Sequence, residues 1–309
     1  MIDGLWHAGD VRSPGAGGRF VRAQSAFRDS VTADGSSDFP AEAGRYHLYV
    51  SWACPWAHRT MIVRALLGLE DVISLSAVEA LMGDDGWTFA APDPLTGATR
   101  LHEIYGRARA GYTGKVTVPV LWDKVRGTIV NNESSEIIRM LPRAFASLAR
   151  TPGDFYPEDL RAEIDAINAR VYETVNNGVY RAGFATSQGA YEEAVRALFD
   201  SLDWLEARLA TRRYLAGDRI TEADWRLFTT LVRFDAVYHG HFKCNLRHVY
   251  EYPRLWAYLR ELYQRPGIAA TVRLDEIKQH YYASHRSINP SGIVPLGPVL
   301  DFMAPHGRG

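Results

Sequence analysis

The chain predicts an α/β domain followed by an all-helical one, and three observations carry that expectation. A short aromatic and β-branched run, Tyr46–Val50, leads through Cys54-Pro55 into a segment whose apolar residues recur at helical spacing. Two apolar runs, 116–122 and 128–130, flank the residues 123–127 and read as a hairpin. Beyond residue 157 the strand-like runs cease and helical periodicity takes over.

Residues 11–45 are rich in Gly, Ser, Arg and Asp. They make 1–45 an irregular arm ahead of an α/β domain at 46–150 and a helical domain with a C-terminal tail at 151–309. The strand at 46–50 feeds a helix over 56–69 that places Met61, Ile62, Ala65, Leu66 and Leu69 on one side. Pro55 sits in its first turn, where the missing N–H costs nothing. A second strand follows at 72–78, and then a long polar stretch, 79–115, punctuated by Gly83, Gly86, Pro92, Pro94 and Gly97. Loops of that length usually carry function. The hairpin and a helix from Ser134 to Leu141 complete the unit. The order β-α-β-(long insert)-β-β-α is that of the thioredoxin fold. Pro119 falls inside a strand run, which a proline would normally demote unless it sits at a bend in the cis form. In thioredoxin-like domains the strand facing the cysteine carries such a cis proline, so the resemblance to that fold implies a cis Val118–Pro119 bond.

Residues 142–157 read as a linker. Helical patterns then cover 158–178, 189–209, 221–238, 253–264 and 275–285. Leu198, Leu202, Leu205 and Leu209 form one apolar stripe, which is core. Thr221-Glu222-Ala223-Asp224 is a capping box with Asp where Glu or Gln is usual.

Composition narrows the function classes. At 309 residues, 47% hydrophobic and 23% charged, the chain is long enough for two cores and ordinary enough to be globular. A formal net charge of −1 gives no basis for nucleic acid or an anionic membrane as partner. Two cysteines suit a reducing compartment rather than a disulfide scaffold. No basic-then-apolar leader and no bilayer-length apolar window is visible, so the cytoplasm is the expected location.

Cys54 is the focus of the chemistry. At a helix N-terminus the exposed N–H groups and the helix dipole favour thiolate over thiol. Position 57 is Ala, so there is no Cys-x-x-Cys pair, and any disulfide formed at Cys54 is resolved by an outside thiol unless Cys244 lies beside it. A buried structural cysteine is the alternative. Glu133-Ser134 opens a helix and offers either plain capping or an anion-receiving N-terminus. His58 and Arg59 read as a solvated face beside Cys54. His239, His241 and Cys244 lack a completing ligand, so no metal is expected.

Cys54-Pro55, Val118-Pro119 and Glu133-Ser134, in this order ahead of a helical domain, resemble the glutathione transferase superfamily in its cysteine-bearing branches. Longer stretches sharpen the likeness: Gly86-Trp87, Gly111 to Asp123, Ile129 to Arg139, Asn176 to Ala185, Phe234 to Tyr238, His241 to Asn245, and His280-Tyr281-Tyr282 running to Pro290. These are similar to the glutathionyl-hydroquinone reductases, the xi class, across most of both domains and the tail.

The resemblance implies a glutathione transferase architecture, with glutathione as co-substrate. Cys54 would attack the glutathionyl sulfur of a glutathionyl-hydroquinone, and free glutathione would resolve the mixed disulfide. Trp87, Lys115, backbone Val118, Glu133 and Ser134 are implied at the glutathione site, with Arg100 and Arg107 competing with Lys115 for the glycine carboxylate. Tyr180, Tyr238 and Tyr281 are implied as hydroxyl donors to the ring oxygen, Tyr282 being the competitor of Tyr281. A homodimer joined through the helical domain is implied as well. Two other readings stand beside this one: a general omega- or glutaredoxin-like deglutathionylase or dehydroascorbate reductase, and a non-catalytic binding module.

Overall fold

The computed structural model describes residues 1–8 and 15–309. The chain divides into two compact units, the described residues of Met1–Asp10 and Ala23–Asp154 in one, and those of Val11–Arg22 and Phe155–Gly309 in the other. The described residues of the stretch read as an arm are thus shared between the two units.

In the first unit a two-stranded parallel pair, β1 (Val31–Thr32) and β2 (Phe39–Pro40), precedes the main sheet. That sheet is built from β3 (Tyr46–Val50), β4 (Ser74–Ala77), β5 (Val120–Asp123) and β6 (Thr128–Asn131), in spatial order β4-β3-β5-β6. β3 runs parallel to β4, with Leu48 opposite Leu75, and antiparallel to β5, with Leu48 opposite Leu121. Every residue of β3 is buried, as a central strand covered on both faces requires. α1 (Pro55–Leu66) crosses between β3 and β4, and α3 (Ser134–Ala144) follows β6.

Two differences from the sequence reading stand out here. The polar stretch 79–115 contains a helix, α2 (Leu101–Ala108), buried through Leu101, Ile104 and Tyr105. It supplies the second crossover, so the observed order is β-α-β-α-β-β-α. The first hairpin strand begins later than expected, at Val120, because residues 116–119 form the bend that carries the cis Val118–Pro119 bond, while the second begins at Thr128 as expected.

The second unit is helical. α4 (Arg161–Val171) continues through a π-helical turn, Tyr172–Asn176, into α5 (Gly178–Gly183). α6 (Gln188–Arg208) presents Leu198, Leu202 and Leu205 to the core, and Leu209 just beyond it is also buried. α7 (Glu222–Arg233) opens with the expected box, Thr221 N–H donating to Asp224 Oδ2 at 2.8 Å, and closes in a second π turn, Phe234–Tyr238. α8 (Pro253–Tyr263) and α9 (Leu274–Ser284) precede a tail without regular structure. Among the described residues no helix is long and apolar enough to cross a membrane.

Candidate functional site

The candidate residues form two clusters, one in each unit. In the first unit, Cys54 is the N-cap of α1, half-buried and reduced, with extended backbone (φ −77°, ψ 120°). Strand β3 aims the chain into the turn and Pro55 starts the helix with a preset φ. The Cys54 carbonyl accepts from His58 N–H at 2.9 Å. Its thiol lies 3.5 Å from the Val118 carbonyl, immediately before cis Pro119. The strand-bend and the helix N-terminus are thereby brought together at the sulfur.

Glu133 is the N-cap of α3. Its carboxylate accepts from Ser135 N–H (3.0 Å), Ser135 Oγ (2.8 Å) and Ser25 Oγ (3.0 Å). Burial pushes its pKa up, but those hydrogen bonds and the charge of Arg59 outweigh it and hold the carboxyl below its ordinary value. Capping and a ligand role are compatible, since an ionised carboxylate at this spot has two oxygens to share. Ser134 is buried, and Arg59 Nη1 reaches its hydroxyl at 3.4 Å.

This corrects the reading of His58 and Arg59 as a solvated face: both are buried, at 0% and 1% exposure. The Arg59 guanidinium lies over the Trp56 ring at 4.5 Å, so it links the Cys54 helix to the start of α3. An arginine on the first turns of a helix gives no sequence signal of which way it points.

Trp87 is buried and follows Gly86, whose positive φ (+71°) lies under the Trp6 ring; a Cβ there would meet that ring at 2.7 Å. Of the competing cations, Arg100 pairs with Asp85 at 2.9 Å and Arg107 donates to the Thr96 carbonyl at 2.6 Å. Lys115 is half-buried, and its carbonyl accepts from Tyr112 Oη at 2.8 Å. Tyr105 escaped the sequence reading. Its hydroxyl donates to Thr117 O (2.8 Å) and accepts from Thr117 N (3.2 Å) and Asn132 Nδ2 (3.0 Å), tying the stretch before Val118 to the stretch before Glu133.

In the helical unit, Tyr180, Tyr238 and Tyr281 converge. Tyr281 Oη is 2.5 Å from Tyr180 Oη and 3.0 Å from Tyr238 Oη, which makes it the centre of the triad. Burial drives the Tyr238 and Tyr281 hydroxyls well above the usual tyrosine range, so both stay protonated donors. Tyr282 points elsewhere, toward the Ala236 carbonyl at 3.5 Å. Both π turns bear on the triad: one ends on Tyr238, and the other lies just before α5, which carries Tyr180. Such turns are frequent at functional sites. Phe242 stacks on Tyr238 with ring centroids 5.5 Å apart, and Gly183 leaves room for it, since a Cβ there would meet the ring at 2.2 Å.

Cys244 is wholly buried in this unit, and burial pushes its thiol far up, so it is an inert core residue. Of the histidines near it, His241 Nε2 lies 3.2 Å from His285 Nδ1 and His239 stacks on His248 at 3.5 Å.

With a thioredoxin-like unit, an N-capping cysteine beside a cis proline and a helical unit in view, comparison with known proteins fixes the class. The chain matches the glutathione S-transferase N-terminal domain over residues 53–144 and the C-terminal domain over 188–261, and is a glutathione transferase. It is 56% identical over 304 residues to glutathionyl-hydroquinone reductase PcpF of Sphingobium chlorophenolicum, covering 97% of this chain and 96% of that one. The glutathione-bound structure of YqjG from Escherichia coli K-12 superposes with a TM-score of 0.91 at 51% identity, over 100% of this chain and 98% of that one. The xi-class structure from Phanerochaete chrysosporium gives 0.91 at 50% identity, over 95% and 96%. The chain belongs to the xi class of glutathione transferases, the glutathionyl-hydroquinone reductases.

Proposed function

We propose that this protein reduces glutathionyl-hydroquinones with glutathione through a mixed disulfide on Cys54. The observation that carries the reading is a lone cysteine at the N-terminus of α1, within 3.5 Å of the carbonyl preceding a cis proline, with Ala at position 57. That is a monothiol, which an external thiol must resolve.

In the first half-reaction the ring reacts from its keto form. Cys54 thiolate attacks the glutathionyl sulfur, the S–S bond forms and the carbon–sulfur bond breaks. The electron pair of that bond passes through the ring to the carbonyl oxygen, which takes up a proton to become a hydroxyl, and the ring leaves as the hydroquinone. The two sulfurs are oxidised and the ring is reduced by the same two electrons. In the second, glutathione thiolate attacks the glutathionyl sulfur, giving oxidised glutathione and returning Cys54 as thiolate. Tyr180, Tyr238 and Tyr281 are assigned to the ring oxygen, as donors that stabilise its developing charge. Glu133 and Ser134 are assigned to the γ-glutamyl end of glutathione, the Val118 backbone and Trp87 to its middle, and Lys115 to its glycine carboxylate. Residence in the cytoplasm and a homodimer joined through the helical unit complete the proposal; light scattering on the purified protein tests the dimer.

The decisive experiment is single-turnover mass spectrometry with glutathionyl-hydroquinone before free glutathione is added. The expected outcome is one glutathione on Cys54, stoichiometric hydroquinone, and neither in Cys54→Ala. An adduct formed from oxidised glutathione but not from this substrate would move the reading to a general deglutathionylase. No adduct from either would leave a binding module.

A further inference from the structure

The described residues 15–22 belong to the helical unit and are built onto its tyrosine triad. Ser187 Oγ donates to Gly17 O at 2.7 Å and Thr186 N to Gly18 O at 3.0 Å, while Arg19 holds Glu193 through two nitrogens at 3.2 and 2.7 Å. Gly18 is required at this seam: its φ is +79°, and a Cβ would meet Ser187 N at 2.9 Å. Phe20 then packs on Tyr180 and Phe184, with centroids 6.4 and 5.5 Å away. Arg22 ends the segment with its guanidinium carbon 4.7 Å from the Tyr180 ring centroid, and its Nε donates to buried Asn177 Oδ1 at 2.9 Å. The Asn177 bond fixes the guanidinium in register with α5, which Asn177 immediately precedes.

From this geometry we infer that Arg22 is a positioning residue of the reductase: its charge, held on the face of Tyr180, makes the tyrosine triad a better hydrogen-bond donor to the departing ring. The inference rests on the reading above. When the carbon–sulfur electron pair reaches the ring oxygen, the hydrogen bond that a tyrosine hydroxyl donates to that oxygen strengthens and partial negative charge is drawn onto the triad. The proton the oxygen finally takes up comes from solvent. Tyr180 is hydrogen-bonded to Tyr281 and shares that charge. A guanidinium over an aromatic face is attracted more strongly as the ring gains negative charge. The charge therefore assists only a substrate whose leaving group is a ring with charge developing on its oxygen. A mixed disulfide, whose leaving group is a thiolate, does not call on it.

The test compares two substrates in one enzyme: glutathionyl-hydroquinone, and the mixed disulfide of glutathione with 2-mercaptoethanol. In Arg22→Gln the kcat on the first, divided by the kcat on the second, is expected to fall by about tenfold. Arg22→Lys keeps a cation and is expected to hold the ratio within about threefold of wild type. In a Tyr180→Phe background the hydroxyl is gone, and Arg22→Gln is expected to change the ratio no further. An unchanged ratio in folded Arg22→Gln overturns the assignment, and so does an equal loss on both substrates. If Arg22→Gln does not fold, a tenfold loss of the ratio in Arg22→Lys overturns it instead. Wild type that releases no hydroquinone at all refutes the underlying reductase reading and this assignment together, an outcome distinct from a variant that behaves like active wild type.

Discussion

At the scale of single residues, the hydroxyl geometry separates neighbours that the sequence left equivalent. Tyr281 and Tyr282 are adjacent and chemically identical, yet on α9 successive side chains diverge by about 100°. Only Tyr281 meets Tyr180 and Tyr238; Tyr282 is turned to the Ala236 carbonyl. Removing one donor to a developing oxyanion typically costs about 10²–10³ in kcat. Tyr281→Phe is therefore expected to lower kcat on glutathionyl-hydroquinone by about that factor, against less than about threefold for Tyr282→Phe. Steady-state rates at saturating glutathione measure both, and equal effects would remove the triad from the chemistry. Cys54 itself was legible because a strand, a cysteine and a helix-opening proline are contiguous. Arg59 was not, because its burial depends on α3, more than seventy positions away.

At the scale of elements, α2 shows where periodicity runs out. It has eight residues, includes Gly106, and follows a loop rich in proline and glycine, so its three buried apolar positions span barely one turn. What it supplies is Tyr105. One hydroxyl makes three hydrogen bonds that join Thr117, ahead of the cis bond, to Asn132, ahead of the α3 N-cap. Tyr105→Phe removes the acceptor of the buried Asn132 amide and the donor to the Thr117 carbonyl. The expected cost is about 1–3 kcal/mol, read from the urea midpoint. Because both joined stretches carry groups assigned to glutathione, the glutathione KM is expected to rise several-fold, with kcat at saturation close to wild type. A stability loss without a change in KM would reduce Tyr105 to packing. The helices of the second unit were legible because they are long and strongly periodic; the π turns within them were not, since one extra residue per turn leaves no mark on composition.

At the scale of the whole molecule, the two-unit organisation could be read from the change in periodicity near residue 157, but the anchoring of the tail could not. Arg308 lies 47 positions from Glu261 and no local pattern joins them. In the structure Glu261 is 3% exposed and collects Arg308 Nε (2.6 Å), Arg213 Nη2 (2.8 Å), Arg265 Nη2 (3.3 Å) and Tyr214 Oη (2.5 Å). Burial pushes its pKa up, but the Tyr214 hydroxyl and the Arg308 and Arg213 guanidiniums outweigh it and hold the carboxyl below its ordinary value. Asp123, buried against Arg45, is shifted the same way. A carboxyl with a depressed folded pKa adds stability that is fully present above the unfolded value, about 4.3 for Glu. That stability is lost as pH falls through the lower folded value, because the unfolded chain then binds the proton first. The carboxyl contribution is thus expected to be flat near neutrality and to be lost below about pH 4. It comes on top of a decline that begins near pH 6.5 as the unfolded chain protonates His47 and His241, whose folded pKa values burial lowers to about 4. Glu261→Gln leaves three guanidiniums without their carboxylate and is expected to cost about 3 kcal/mol at pH 7. The gap between variant and wild type should close as pH falls, since acid removes from wild type the same charge that the substitution removes. Urea titrations of both proteins from pH 7 to pH 3 measure this, and parallel curves across that range would show that Glu261 is not a source of the acid sensitivity.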